Sequence, residues 1–171
     1  AGKVLTLGHE LAILAYIERK CPAVAGADER EWAVSQQFVH QAEDVYKALV
    51  AKQPTLYETD KVSKEALAEW WAGDDRTLHN RKQGLQVHLA LLEAAAAATP
   101  GKAGYLTCDG KSVGECKLFA TLHMLVMIKS DVLAPFPALT AFYERFGGEA
   151  ATKRVVDSVG RFPGPLKQYF V

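Results

Sequence analysis

Residues 112–128 read SVGECKLFATLHMLVMI. Ser112 and Glu115 stand three positions apart, the spacing of a capping box, in which each side chain bonds the other's backbone N–H at a helix start. From Leu118 to Ile128 the segment is apolar nearly all round. That is the pattern of a helix enclosed on every side. Such a helix needs others around it. The stretch therefore predicts an all-α fold, a helical bundle around a buried central helix.

The flanking sequence supplies the other helices. Asp28 and Glu31 have capping spacing, and Phe38, Ala42, Val45 and Leu49 follow as one stripe, widened by Val39 and Tyr46 and ended by Pro54. A short helical piece over 63–72 holds Trp70 and Trp71, adjacent rings that point different ways, one inward and one toward a loop or partner. Leu78, Leu85, Leu89 and Leu92 mark a helix that runs into Ala94–Ala98. Pro137 sits at a helix start, Leu139, Phe142, Tyr143 and Phe146 form that helix's face, and Gly147 and Gly148 close it. A last helix carries Val155, Val156 and Val159, and the tail over 161–171 is expected to pack as an extended strap. At the other end, Lys3–Leu7 is β-prone. Glu10–Lys20 is helical, with Leu11, Leu14 and Ile17 on one face, and Pro22 stops it.

Composition narrows the function classes. The chain has 171 residues, 49% hydrophobic and 23% charged, enough for one domain with a real core. Lys plus Arg and Asp plus Glu are 20 each, a balance that sets nucleic acid aside as a partner. No apolar run is long enough to span a membrane. No secretory pattern opens the chain, although a targeting segment already removed would leave no trace. Cys21, Cys108 and Cys116 are odd in number and lack C-x-x-C spacing, which points to the cytoplasm or another reducing compartment, the organelle being unreadable. Cys116 reads either as a small buried hydrophobe or as a thiol favoured by a helix dipole. The five histidines show no metal-ligand spacing, and His123 reads as a core histidine. No nucleophile elbow or phosphate-binding glycine loop is present, so spacing alone assembles no catalytic or metal site.

Three stretches together resemble a glutathione transferase. Leu5-Thr-Leu-Gly-His-Glu-Leu-Ala-Ile-Leu-Ala-Tyr-Ile is similar to the end of that family's thioredoxin-like domain, its last strand and the helix after it. Asp28-Glu-x-Glu31 leading to Glu43-Asp44 resembles the first helix of the family's helical domain. Ser112-x-x-Glu115 with its apolar helix, then Phe136-Pro137-x-Leu139-x-x-Phe142, resembles the family's buried-helix cap and the helix that follows. The order and spacing agree over nearly the whole chain.

The resemblance implies a division into 1–21, the last strand and helix of a thioredoxin-like domain, and 22–171, a helical domain. The family's thiol-activating residue belongs to the part ahead of that strand, so the resemblance supplies none here. The chain is then a fragment or a lineage that has dispensed with most of that domain. His9-Glu10 stands where the family has Gln-Ser or Glu-Ser, whose serine holds the γ-glutamyl carboxylate of glutathione. Glu10 would set a second carboxylate there, and like charges about 4 Å apart repel by about 1 to 4 kcal/mol. Glu10 also reads simply as a first-turn acid on the helix dipole. Asp44 matches an acid that reaches a partner's glutathione, or is a surface carboxylate, and Val50 and Pro54 fall at the hydrophobic co-substrate pocket. The implied function is a non-catalytic scaffold or binding subunit. The alternative is the C-terminal part of a transferase conjugating glutathione to small electrophiles. Glutathione is the one cofactor the resemblance makes possible. A protein partner or a homo-oligomer is expected to cover Leu11, Leu14 and Ile17.

Overall fold

The computed structural model describes residues 5–52 (the backbone alone for 50–52), 68, 71, 84–98, 105–107 and 111–158, and among these residues six helices have defined bounds. They are α1 (Glu10–Lys20), α2 (Glu29–Lys52), α3 (Leu85–Ala98), α4 (Val113–Ile128), α5 (Pro137–Gly148) and α6 (Ala150–Ser158), with one 3-10 turn at Pro22–Val24. Among the described residues no helix is long and apolar enough to cross a membrane.

The starts of α2 and α4 form as their sequences dictate. Asp28 Oδ1 accepts from Glu31 N at 2.9 Å, and Glu31 accepts from Ala27 N at 2.7 Å. At α4 the box closes fully: Glu115 N donates to Ser112 Oγ at 3.1 Å, and Ser112 N to Glu115 Oε2 at 2.9 Å. Both side chains are fully buried, where no water could replace these bonds. Glu115 accepts two further bonds, from Leu106 N and from Thr107 Oγ1, and so pins the 105–107 loop to the cap.

The core lies between α2, α3, α4 and α5, built by Phe38, Leu49, Leu89, Leu118, Leu122 and Leu139. α2 and α4 touch backbone to backbone. Gly114 N donates to Ser35 Oγ at 2.9 Å, and a Cβ on Gly114 would lie 2.1 Å from the Ser35 carbonyl oxygen. Only glycine allows this approach. α5 has no cap of its own at Phe136. Glu93 of α3 substitutes, its two oxygens accepting from Ala138 N at 2.8 Å and Leu139 N at 2.9 Å.

Three expectations need correction. Residues 5–7 of the β-prone stretch form no strand, and among the described residues no extended segment pairs with them. The remainder of that stretch lies outside the described residues. α4 is central but not enclosed on every side. Cys116 and Ala120 are exposed, and His123 and Met127 half-buried, so one stripe of the helix stays open. On α1, Leu11 and Leu14 are half-buried, and the face turned outward is that of Ile13, Tyr16 and Ile17. Trp71 is half-buried against the core, beneath Lys129 Nζ at 5.1 Å from its ring centroid. Leu78, Trp70, Cys108, Val159 and the 161–171 tail lie outside the described residues.

Candidate functional site

Lys117 is the one lysine or arginine in α4, and the site grows from it. It follows the cap of α4 by one turn, which sends its stem between α1 and α2. Its side chain is only 7% exposed, and a buried ammonium requires partners. It has two: Glu10 of α1 at 2.7 Å and Glu43 of α2 at 3.0 Å. The Tyr46 ring lies 5.5 Å from the ammonium. Burial draws the Lys117 pKa down, but its bonds to the two carboxylates outweigh this and the net shift is upward. Lys47 lies 3.6 Å from the other oxygen of Glu43, so the cluster sets two ammoniums against two carboxylates.

A second polar relay joins the same three helices. Glu18 of α1 is buried and accepts from Ser35 Oγ at 3.2 Å and Gln36 Nε2 at 2.6 Å. Burial raises its pKa, against the lowering effect of Ser35, Trp32 and Gln36. Ser35 in turn accepts from Gly114, so α1, α2 and α4 are tied twice.

Beside Lys117 the open stripe of α4 floors a cleft of about 640 Å³. Cys116, His123 and Met127 line it from α4, Phe146 from α5, Val155 from α6, and Glu10 stands at its edge. The walls are mostly apolar. Glu10, Lys111 and Lys117 are the cleft's charged lining. Burial lowers the His123 pKa and raises that of Tyr143, and His123 Nδ1 lies 2.9 Å from Tyr143 Oη. Cys116 is exposed as a residue, yet crowding around its thiol raises the pKa, Lys111 opposing and Glu115 and Glu149 adding to the rise. This thiol is no ready thiolate, which corrects the dipole-activated reading.

The residues singled out from the sequence fall in different places. Glu10 is engaged by Lys117. His9 is exposed at the start of α1 with φ 69°, a left-handed conformation for a non-glycine residue, and its side chain makes no cap bond. Asp44 is exposed on α2, where its charge raises the pKa of His88 against the stronger lowering by burial. It is not brought together with Glu10's cluster by any described bond. The side chain of Val50 and the whole of Pro54 lie outside the described residues. Ser112 and Glu115 form the cap as read. Lys117 and Glu18 were missed, although each carried a signal. Lys117 is a lone cation in an apolar run, and Glu18 shares an i, i+3, i+7 stripe with Leu11 and Leu14.

No protein-family model matches the chain, and no curated protein does. Among solved structures it is similar to the Pi-class glutathione S-transferase of Onchocerca volvulus, with a TM-score of 0.72 at 19% identity, over 94% of this chain and 69% of that one. The likeness establishes a glutathione-transferase-like fold, with which the all-helical make-up of the described residues agrees.

Proposed function

We propose that this chain is a glutathione-transferase-like helical module that serves as a binding or scaffold subunit and does not conjugate glutathione. The observation that carries this reading is the engagement of Glu10. In the resembling enzymes a serine at this place receives a carboxylate. Here the position is an anion whose own oxygen is bonded to Lys117 at 2.7 Å. A glutathione carboxylate would meet Glu10 and, behind it, Glu43. The raised Cys116 pKa supports the reading, since this thiol is no ready nucleophile.

One observation favours the alternative, the helical part of a working transferase: Asp44 is exposed, as contact with a partner chain's glutathione requires. Two assays on the purified chain decide between them, conjugation of glutathione to a chloronitrobenzene and retention on immobilised glutathione. The module reading predicts neither above background. Conjugation by the unaltered chain that is lost in Asp44→Ala would overturn it.

A further inference from the structure

At the end of α4 away from Ser112 lies a second cavity, of about 350 Å³. Trp71, Leu85, Leu125, Ile128 and Val132 wall it, and Lys129 is the one charged residue of the described lining. Leu85, Leu125 and Val132 belong to the buried core, so the cavity reaches into the bundle. A packed interior leaves few voids larger than a water molecule, and an empty one forfeits the dispersion contacts of its walls. Both the volume and the lining, apolar with one polar group, are those of a small-molecule site at the lower end of the usual size range.

The charges at its rim select the occupant. Lys129 stands at the C-terminal cap of α4. Its ammonium lies 5.1 Å from the Trp71 ring centroid and donates to the Asp131 carboxylate, two residues on. Val132 N donates to Lys129 O at 3.0 Å, in the turn that sets the two charges side by side. Their side chains are 47% and 72% exposed, and an ion pair so exposed is weak and rearranges readily around a ligand. A cation next to an anion at the rim of an apolar pocket matches a zwitterion that carries an apolar tail.

We propose that this pocket binds a free α-amino acid with an apolar side chain, such as leucine. The side chain fills the cavity against Leu125, Ile128 and Trp71. The carboxylate takes Lys129 and the ammonium takes Asp131, so each charge of the ligand meets its opposite. A fatty acid would set its carboxylate against Asp131, and an alkylamine would set its ammonium against Lys129. The pocket lies about three helical turns along α4 from Lys117. The proposal goes beyond the function reading, since a binding module and a transferase would carry such a site alike.

Calorimetric titration of the full chain with L-leucine, followed in parallel by tryptophan emission, tests it. Saturable binding of one leucine per chain is expected, with Kd of about 0.1 to 1 mM for a ligand of so few atoms. Isocaproate lacks the ammonium and isopentylamine lacks the carboxylate. Each is expected to bind about tenfold more weakly than leucine. Lys129→Gln and Asp131→Asn should each weaken leucine binding about fivefold. Both side chains are outside the core, and unchanged circular dichroism melting shows that the variants fold. Trp71→Phe should remove most of the emission change while the heat of binding remains, which places the ligand at this pocket. Absence of leucine binding, either analogue binding as well as leucine, or charge variants that bind as the wild type does, would overturn the proposal. So would an emission change that survives intact in Trp71→Phe. Glutathione conjugation by the same preparations reports on the function reading alone.

Discussion

In α4 the apolar side chains point into the bundle and buried polar groups close the N-terminus; in α1 the acid points in, and Ile13, Tyr16 and Ile17 point out. Both helices contain leucines and isoleucines at helical spacing, and both are tied to α2. What separates them is where the polar residues go. α4 uses Ser112 and Glu115 to satisfy backbone groups that its burial would orphan. α1 uses Glu10 and Glu18 to reach Lys117, Ser35 and Gln36, and leaves most of its apolar surface free. A helix held by polar contacts is positioned by the fold without completing the core. This contrast should be visible in stability, and the variants below are ordered to probe it.

The largest effect is expected where α4 meets α2. Gly114→Ala sets a methyl against the Ser35 carbonyl and forces the helices apart. A loss of about 3 kcal/mol or more is expected in urea denaturation. A loss below about 1 kcal/mol would contradict the backbone contact. Glu115→Ala comes next. It strips the acceptor from Leu106 N, Thr107 and Ser112 N together, and about 2 to 4 kcal/mol should be lost. Ser112→Ala removes one acceptor and should lose about 1 to 2 kcal/mol by the same measurement.

The fold was legible in α2, α4 and α5 because their instructions are local. Asp28, Ser112 with Glu115, and Pro137 act within one turn, and stripes such as Phe38, Ala42, Val45 and Leu49 need only a partner face. The buried-all-round reading of α4 failed because apolarity shows that a side chain can be covered, not that anything covers it. Lys3–Leu7 was read from propensity, which cannot form a strand without a ladder. The site was less legible still. Glu10 was visible as a departure from the family pattern. Its partner Lys117 lies on another helix 107 positions away, and no sequence spacing encodes that distance. The Glu93 cap on α5 was hidden for the same reason.

Acid should act on the α4 side of the comparison. His123 and His88 have pKa values held below their ordinary 6.5 by burial, with Asp44 opposing at His88. The neutral forms fit the fold, so their contribution is present above 6.5 and is lost as pH falls through it toward the lowered values. The melting temperature should therefore drop between neutral pH and about pH 5, and His123→Phe should flatten that slope. An unchanged slope in His123→Phe would remove His123 from the account.

The smallest effects belong to α1. Glu10→Ala leaves Lys117 its Glu43 partner, and Glu10 is more than half exposed, so less than about 1 kcal/mol should be lost. Ile13→Ser should change stability by no more than about 0.5 kcal/mol, since its outer face contacts no core. A loss like that of a buried isoleucine would place Ile13 in the core and sharpen the comparison against this account.

Amide hydrogen exchange, read helix by helix, tests the contrast most directly. In the dilute chain α4 amides should exchange only on near-global unfolding, while α1 amides exchange through local opening at much lower free energy. Protection of α1 equal to that of α4 would contradict the claim that α1 is a polar-anchored helix outside the core.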